Sequence, residues 1–182
     1  MPSWVCWSGS YMRIRYRISQ FWNAVAARPA AGQLERARNV LGAALMNLFL
    51  QMQPGEQAHS LEIFESLLAQ GEPDPDLLAA ALLHDVGKSR CPLNPAERAL
   101  VVIGRKLLPG KVKDWGRGDP QGSKRAFVVA EQHPAWGAAM AAEAGASPLT
   151  VRLIRQHQEK LLPSMEKRDP LLYRLQLLDD KR

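Results

Sequence analysis

Four histidines and a few carboxylates carry most of the chemistry open to this chain. The histidines are His59, His84, His133 and His157, and Asp85 follows His84 directly. Imidazole nitrogen and carboxylate oxygen together suit first-row divalent metals such as Mn, Fe, Co, Ni or Zn. A lone histidine is more often a satisfied polar group than a ligand, so the argument rests on where helical phase puts these four. His157 follows Leu153 and Ile154 and precedes Leu161 at helical spacing, which sets it on an apolar stripe. His59 shares a face with Ile63 and Leu67, and His84 follows Leu77, Ala80 and Ala81 on another. Near the C-terminus, Asp179 is in phase with Leu171, Leu172 and Leu175, whereas Asp180 stands about 100° off that face. Imidazoles and a carboxylate aimed at one core are costly unless they are paired or hold a cation.

The elements that must position these groups read as helices throughout. Residues 13–27 place Ile14, Ile18, Phe21, Trp22 and Val25 at helical spacing beside Arg13, Arg15 and Arg17, an amphipathic basic helix. A second helix is expected over 33–52, and a third from Pro54 to about Gln70, with Gly71 as its stop. Asp74-Pro75 caps a fourth, rich in Leu and Ala, that ends at Gly87. Residues 104–125, dense in Gly, Pro and Lys, read as a long loop able to steer a ligand or close over it. A helix is expected over 123–132, another from Pro134 to Gly145, another from Ser147-Pro148 to about Leu162, and a last one from Asp169-Pro170. No convincing alternating strand occurs, so the expected class is all-α, a compact helical bundle. Residues 1–28 form a basic N-terminal extension and 29–182 the main domain.

Length and composition agree with this organisation. A chain of 182 residues with 46% hydrophobic and 23% charged residues is long enough for one well-formed core. Cys6 and Cys91 cannot build a disulfide framework or a zinc knot, and read as unpaired thiols in a reducing compartment. No apolar run has the length of a membrane span, and the N-terminus lacks the pattern of a signal peptide, so the expected address is cytoplasmic. Met12 precedes the first clearly patterned segment and is an alternative start. The net charge of +6 is concentrated. Residues 1–28 carry four Arg and no acid, and residues 101–125 carry seven Lys or Arg against two Asp. Such patches suit phosphate or an anionic surface. The first is expected to make at most a weak contact with an anionic membrane or a partner, and no DNA-reading element is present.

The run AALLHDVGKSR at 80–90 resembles the signature of the HD-domain metal-dependent phosphohydrolases. The wider order is similar too: His59, then His84-Asp85, His133, His157 and Asp179, covering residues 59 to 179 with no histidine left over. The resemblance implies an HD-type bundle over 29–182. It implies that His59, His84, Asp85 and Asp179 hold one divalent transition metal, and that His133 and His157 serve a second, with Asp85 bridging. It also implies that Asp85 and Lys88 are catalytic, with Lys88 near the substrate phosphate, where an ammonium suits a phosphoryl oxygen.

By the same resemblance, the expected reaction is hydrolysis of a phosphate ester or anhydride by metal-activated hydroxide. The substrate is a phosphorylated small molecule, expected to be a nucleotide or dinucleoside polyphosphate. The HHE and GYP elements of the branch that cleaves cyclic di-GMP are missing, the fourth-histidine region here reading HQEKLLP. The branch that hydrolyses ppGpp carries acids soon after its His-Asp pair, where this chain has Gly87, Lys88, Ser89 and Arg90. The branch that cleaves diadenosine tetraphosphate symmetrically has the same six-ligand order, although order alone does not transfer a substrate. The competing reading is a non-catalytic module that binds metal or nucleotide and docks to a membrane or partner through its basic surface. It predicts missing ligands, and none is missing.

Overall fold

The computed structural model describes residues 29–72, 74–160 and 162–180, and every regular element among them is helical. The expected amphipathic helix at 13–27, Cys6 and Met12 lie outside the described residues. The helices are α1 (Ala31–Leu50), α2 (Pro54–Ala69), α3 (Pro75–Leu83), α4 (Pro95–Leu107), α5 (Pro109–Trp115), α6 (Arg125–Glu143), α7 (Pro148–Gln156), α8 (Met165–Arg168) and α9 (Pro170–Asp179). Short 3-10 turns occupy Val86–Arg90 and Gly122–Lys124. Pro54, Pro75, Pro95, Pro109, Pro148 and Pro170 each open a helix. Proline costs nothing there, because its missing N–H is one the first turn cannot use.

Helix α3 is the axis of the bundle. Leu77 through Leu83 are all buried, because α1, α2, α7 and α9 pack around the helix. A helix that is apolar on every side has no solvent face to offer, and this one delivers His84-Asp85 from inside the molecule. Asp74 caps it, accepting from the N–H groups of Asp76 and Leu77. Phe49, Phe64, Leu67, Leu153, Leu172 and Leu175 fill the core around it. A smaller cluster of Leu93, Val101, Val112, Phe127 and Val129 seats α4 and α5 against α6. No helix among the described residues is long and apolar enough to cross a membrane.

Four boundaries differ from the expectation. The segment read as a loop is mostly helix, because Asn94 and Glu97 form a reciprocal capping box that starts α4. Gly104 lies inside α4 where it crosses α6; a Cβ there would sit 2.6 Å from the Phe127 ring, so this glycine marks close packing rather than a bend. Pro134 does not open a helix but lies inside α6. Its missing N–H frees the Ala130 carbonyl, which accepts from Arg105 Nη2 at 3.0 Å. Helix α3 stops at Leu83 rather than Gly87, and α7 stops at Gln156 rather than near Leu162. Both early stops fall one residue before a histidine of the site.

Candidate metal centre

His84 and His157 are the C-cap residues of α3 and α7. A helix end leaves carbonyl oxygens without intrahelical donors. In each case the cap imidazole takes one: His84 Nδ1 donates to Ala81 O at 2.9 Å, and His157 Nδ1 to Ile154 O at 2.7 Å. His133, in the middle of α6, donates Nδ1–H to Val129 O at 3.0 Å. The three bonds fix three rings in one tautomer and leave each Nε2 as a bare lone pair. All three Nε2 atoms are buried and lack a hydrogen-bond partner.

These lone pairs converge. The rings of His59 and His84, His84 and His157, and His157 and His133 stand 5.4, 5.1 and 5.2 Å apart, centroid to centroid, so the four histidines form one chain of neighbours. They fall into two triads with the acids. His59, His84 and Asp179 bring donor atoms within 4.8 Å of one another, and so do Asp85, His133 and His157. Asp85 faces both triads. Its Oδ2 is 3.6 Å from His84 Nε2, while its Oδ1 is 3.2 Å from His133 Nε2 and 3.9 Å from His157 Nε2. His84 Nε2 is also 3.6 Å from Asp179 Oδ1, which accepts from His59 Nε2 at 2.8 Å.

Electrostatics sharpen the arrangement. Burial favours a neutral Asp85, but the Lys88 ammonium beside it outweighs that and holds the carboxyl well below its usual range. Burial likewise favours a neutral Asp179, and the His59 hydrogen bond overcomes it, bringing the group down to about 2. Burial lowers His133, and lowers His157 to about 3, so both rings are neutral near pH 7. A buried carboxylate therefore faces buried lone pairs with no proton between them. His133 Nε2 and Asp85 Oδ1 approach each other closely, yet the ring's proton is committed to Val129. A cation removes that repulsion, and nitrogen with carboxylate oxygen is the donor set of a first-row divalent ion. The residues present fit such a group by their own geometry.

The six residues picked out by helical phase and resemblance are thus brought together, and Asp179 rather than Asp180 makes the contact. Lys88 stands on the 3-10 turn with Nζ 2.6 Å from Asp85 Oδ2. The His59, Asp85, His157 and Asp179 end of the cluster opens into a cavity of about 900 Å³. Its walls carry Lys88, Arg105, Lys113, Arg155 and Lys160, cations from five different segments. Sequence reasoning singled out Lys88 alone among these. Arg155 had a readable signal, standing two residues before His157, whereas Arg105 and Lys113 reach the cavity only because α4 and α5 are helical. Gln176 was also missed. Its amide nitrogen donates to Gln156 O and Glu159 O, at 3.1 and 2.8 Å, and so ties α9 to the end of α7 that carries His157.

A test of the two-triad division follows from this geometry. His157→Leu, close in volume, is expected to leave the His59, His84 and Asp179 triad intact while weakening metal binding at the other. Titration of metal-stripped protein with Mn²⁺ should then show one tight site fewer than wild type. Equal stoichiometry in the two proteins contradicts the division.

A model of the HD domain matches residues 52–180 of the chain. No curated protein and no solved structure matches it. Helix α1 lies before the matched stretch, yet its Ala37, Leu41, Met46 and Phe49 are part of the same buried core.

Proposed function

The chain belongs to the HD-domain family, whose members are in general metal-dependent phosphohydrolases, and we propose that it hydrolyses a phosphate ester or anhydride of a nucleotide or dinucleoside polyphosphate. The observation that carries this reading is the pair of His/Asp triads meeting at Asp85 at the floor of a cation-lined cavity. In it, His59, His84 and Asp179 would hold one divalent ion and His133 and His157 a second, with Asp85 facing both. When bound, such ions supply Lewis acidity toward phosphoryl oxygens and activate water at neutral pH.

The chain's own residues do the rest. The Nδ1–H bonds of His84, His133 and His157 to helix carbonyls keep their Nε2 atoms aimed at the centre without rearrangement. Lys88 is partly exposed at the cavity edge, with its ammonium on Asp85. Once another cation engages Asp85, that ammonium is available to a substrate phosphoryl oxygen. Arg105, Lys113, Arg155 and Lys160 surround the space beyond it. Setting aside Asp85 and Asp179, the lining has five cations against Glu131, Glu159 and Asp180. This excess favours a substrate with several phosphates over a monoester. A volume of about 900 Å³ is near the upper end of small-molecule pockets and accommodates a base and ribose as well.

The test is phosphate release by metal-reconstituted full-length protein from a panel of mononucleotides, nucleoside triphosphates and dinucleoside polyphosphates. Metal-dependent turnover, fastest on the polyphosphates, is the expected result. No turnover above the metal-free protein on any member overturns the proposal. Lys88→Met is expected to lower kcat/KM about ten- to a hundredfold, the worth of one charge-assisted contact. Its metal affinity should stay equal or rise, because the substitution removes a cation that competes for Asp85 Oδ2.

A further inference from the structure

Beyond the cavity, the exposed apolar surface of the molecule is unevenly distributed. The described residues include eight large hydrophobic side chains that are exposed, and five of them, Leu100, Val102, Ile103, Leu107 and Leu108, lie within one stretch of nine positions. Val102, Ile103 and Leu107 are the most exposed, at 65, 55 and 68%. Leu100, Ile103 and Leu107 recur at helical spacing along an exposed strip of α4, about 100° around the helix from Val101 and Gly104, which pack against α6. Scattered single apolar residues need no explanation, but a contiguous stripe on one helix does.

The unpaired charges on the two helices around this stripe are of one sign. Lys106 lies beside it on α4, and Lys111 and Lys113 follow on α5. The acids nearby are already engaged: Asp114 pairs with Arg117, and Glu97 with Arg125. Among the described residues, Lys106, Lys111 and Lys113 have no ion-pair partner. A second copy docking about a twofold axis would bring this patch against itself, setting lysines against lysines. Residues 1–28 carry four Arg and no acid, so their charge is not complementary to the patch either. An apolar stripe bordered by unpaired lysines is complementary to an apolar layer under an anionic surface.

We propose that the outer face of α4 and the start of α5 form an interfacial docking surface for an anionic lipid bilayer, with Leu100, Val102, Ile103, Leu107 and Leu108 entering the headgroup boundary and Lys106 and Lys111 contacting lipid phosphates. The same two helices present Arg105, Pro109, Val112 and Lys113 to the cavity. Docking therefore holds the cavity mouth close to the membrane plane. The inference does not rest on the catalytic reading, since lipid binding is measured without turnover.

Its test is flotation of the full chain with vesicles of phosphatidylcholine alone and with about one-third phosphatidylglycerol. Binding to the anionic vesicles is expected to exceed that to neutral ones about tenfold or more, and to weaken as salt is raised. Ile103→Ser with Leu107→Ser should lower anionic-vesicle binding about tenfold at unchanged charge. Lys106→Glu with Lys111→Glu should do the same at unchanged apolar area. None of these four side chains lines the cavity, so metal binding serves as the check that each variant is folded. The proposal is overturned if wild type ignores anionic vesicles. It is equally overturned if both double variants bind as wild type does, which would place lipid contact elsewhere, or if the serine variant only converts a dimer to a monomer in light scattering.

Discussion

Protein carrying Asp85→Asn is expected to keep its fold and to lose on the order of a thousandfold or more of its phosphohydrolase activity. Asparagine reproduces the shape of the side chain, and its position is set by the buried end of α3 and the buried first residues of the 3-10 turn, Val86 and Gly87. What changes is charge. Asp85 is the one carboxylate that faces both triads, through Oδ2 toward His84 and through Oδ1 toward His133 and His157. Without it, the His133 and His157 half keeps only imidazole donors, and the His59 and His84 half keeps Asp179 but loses its second anion. Metal present at about a hundred times its dissociation constant stabilises a protein by about 2.7 kcal/mol. Wild type should therefore melt at a higher temperature with Mn²⁺ than without, and the variant should show little of that shift. The paired readouts are the melting curves and the rate on the best substrate. A variant that retains both the shift and the rate would remove Asp85 from the centre.

The second large effect is structural. Gly87→Ala is expected to destabilise the chain by about 3 kcal/mol or more. A Cβ at this position would lie 2.0 Å from the carbonyl oxygen of His133 and 2.6 Å from the backbone nitrogen of Gly137, with no side chain that could yield. The 3-10 turn and α6 meet backbone to backbone there, and that contact sets the distance between Asp85 and His133. Forcing them apart damages stability and metal binding together. Urea denaturation should show the midpoint falling with the slope preserved. Gly110→Ala is the control, since its Cβ would meet nothing within 4 Å, and it should be close to neutral. Equal midpoints for Gly87→Ala and wild type would mean that the crossing is looser than the structure has it.

These two residues also show how far the sequence could be read. Asp85 was legible because it directly follows His84, which helical phase places on a buried face, in a run that resembles the HD-domain signature. The same phase argument separated Asp179 from Asp180, and it worked because α9 runs unbroken to that position. Gly87 was read as a helix stop, which is the commonest local meaning of a glycine. Its actual role is a long-range contact with α6, and nothing within one segment reports that. Residues 104–125 failed for a related reason. Their Gly, Pro and Lys content resembles a loop, but Gly104 is a packing position and Pro109 is the first residue of α5. The capping box at Asn94 and Glu97 was the overlooked local signal. Pro134 is the converse case: a residue that ordinarily opens a helix is tolerated inside α6 because Arg105, from another helix, takes the carbonyl it orphans. Local chemistry thus picked out the residues that the fold gathers into the two triads, whereas the cavity around them depended on contacts between distant segments.

The most direct test of the central claim is anomalous diffraction from crystals of the full chain grown with Mn²⁺, recorded with Asp85→Asn crystals for comparison. The account predicts anomalous peaks flanking Asp85, one among His59, His84 and Asp179 and one among His133 and His157, both lost or strongly reduced in the variant. Wild-type crystals with the six side chains placed as described and no anomalous density between them would contradict it.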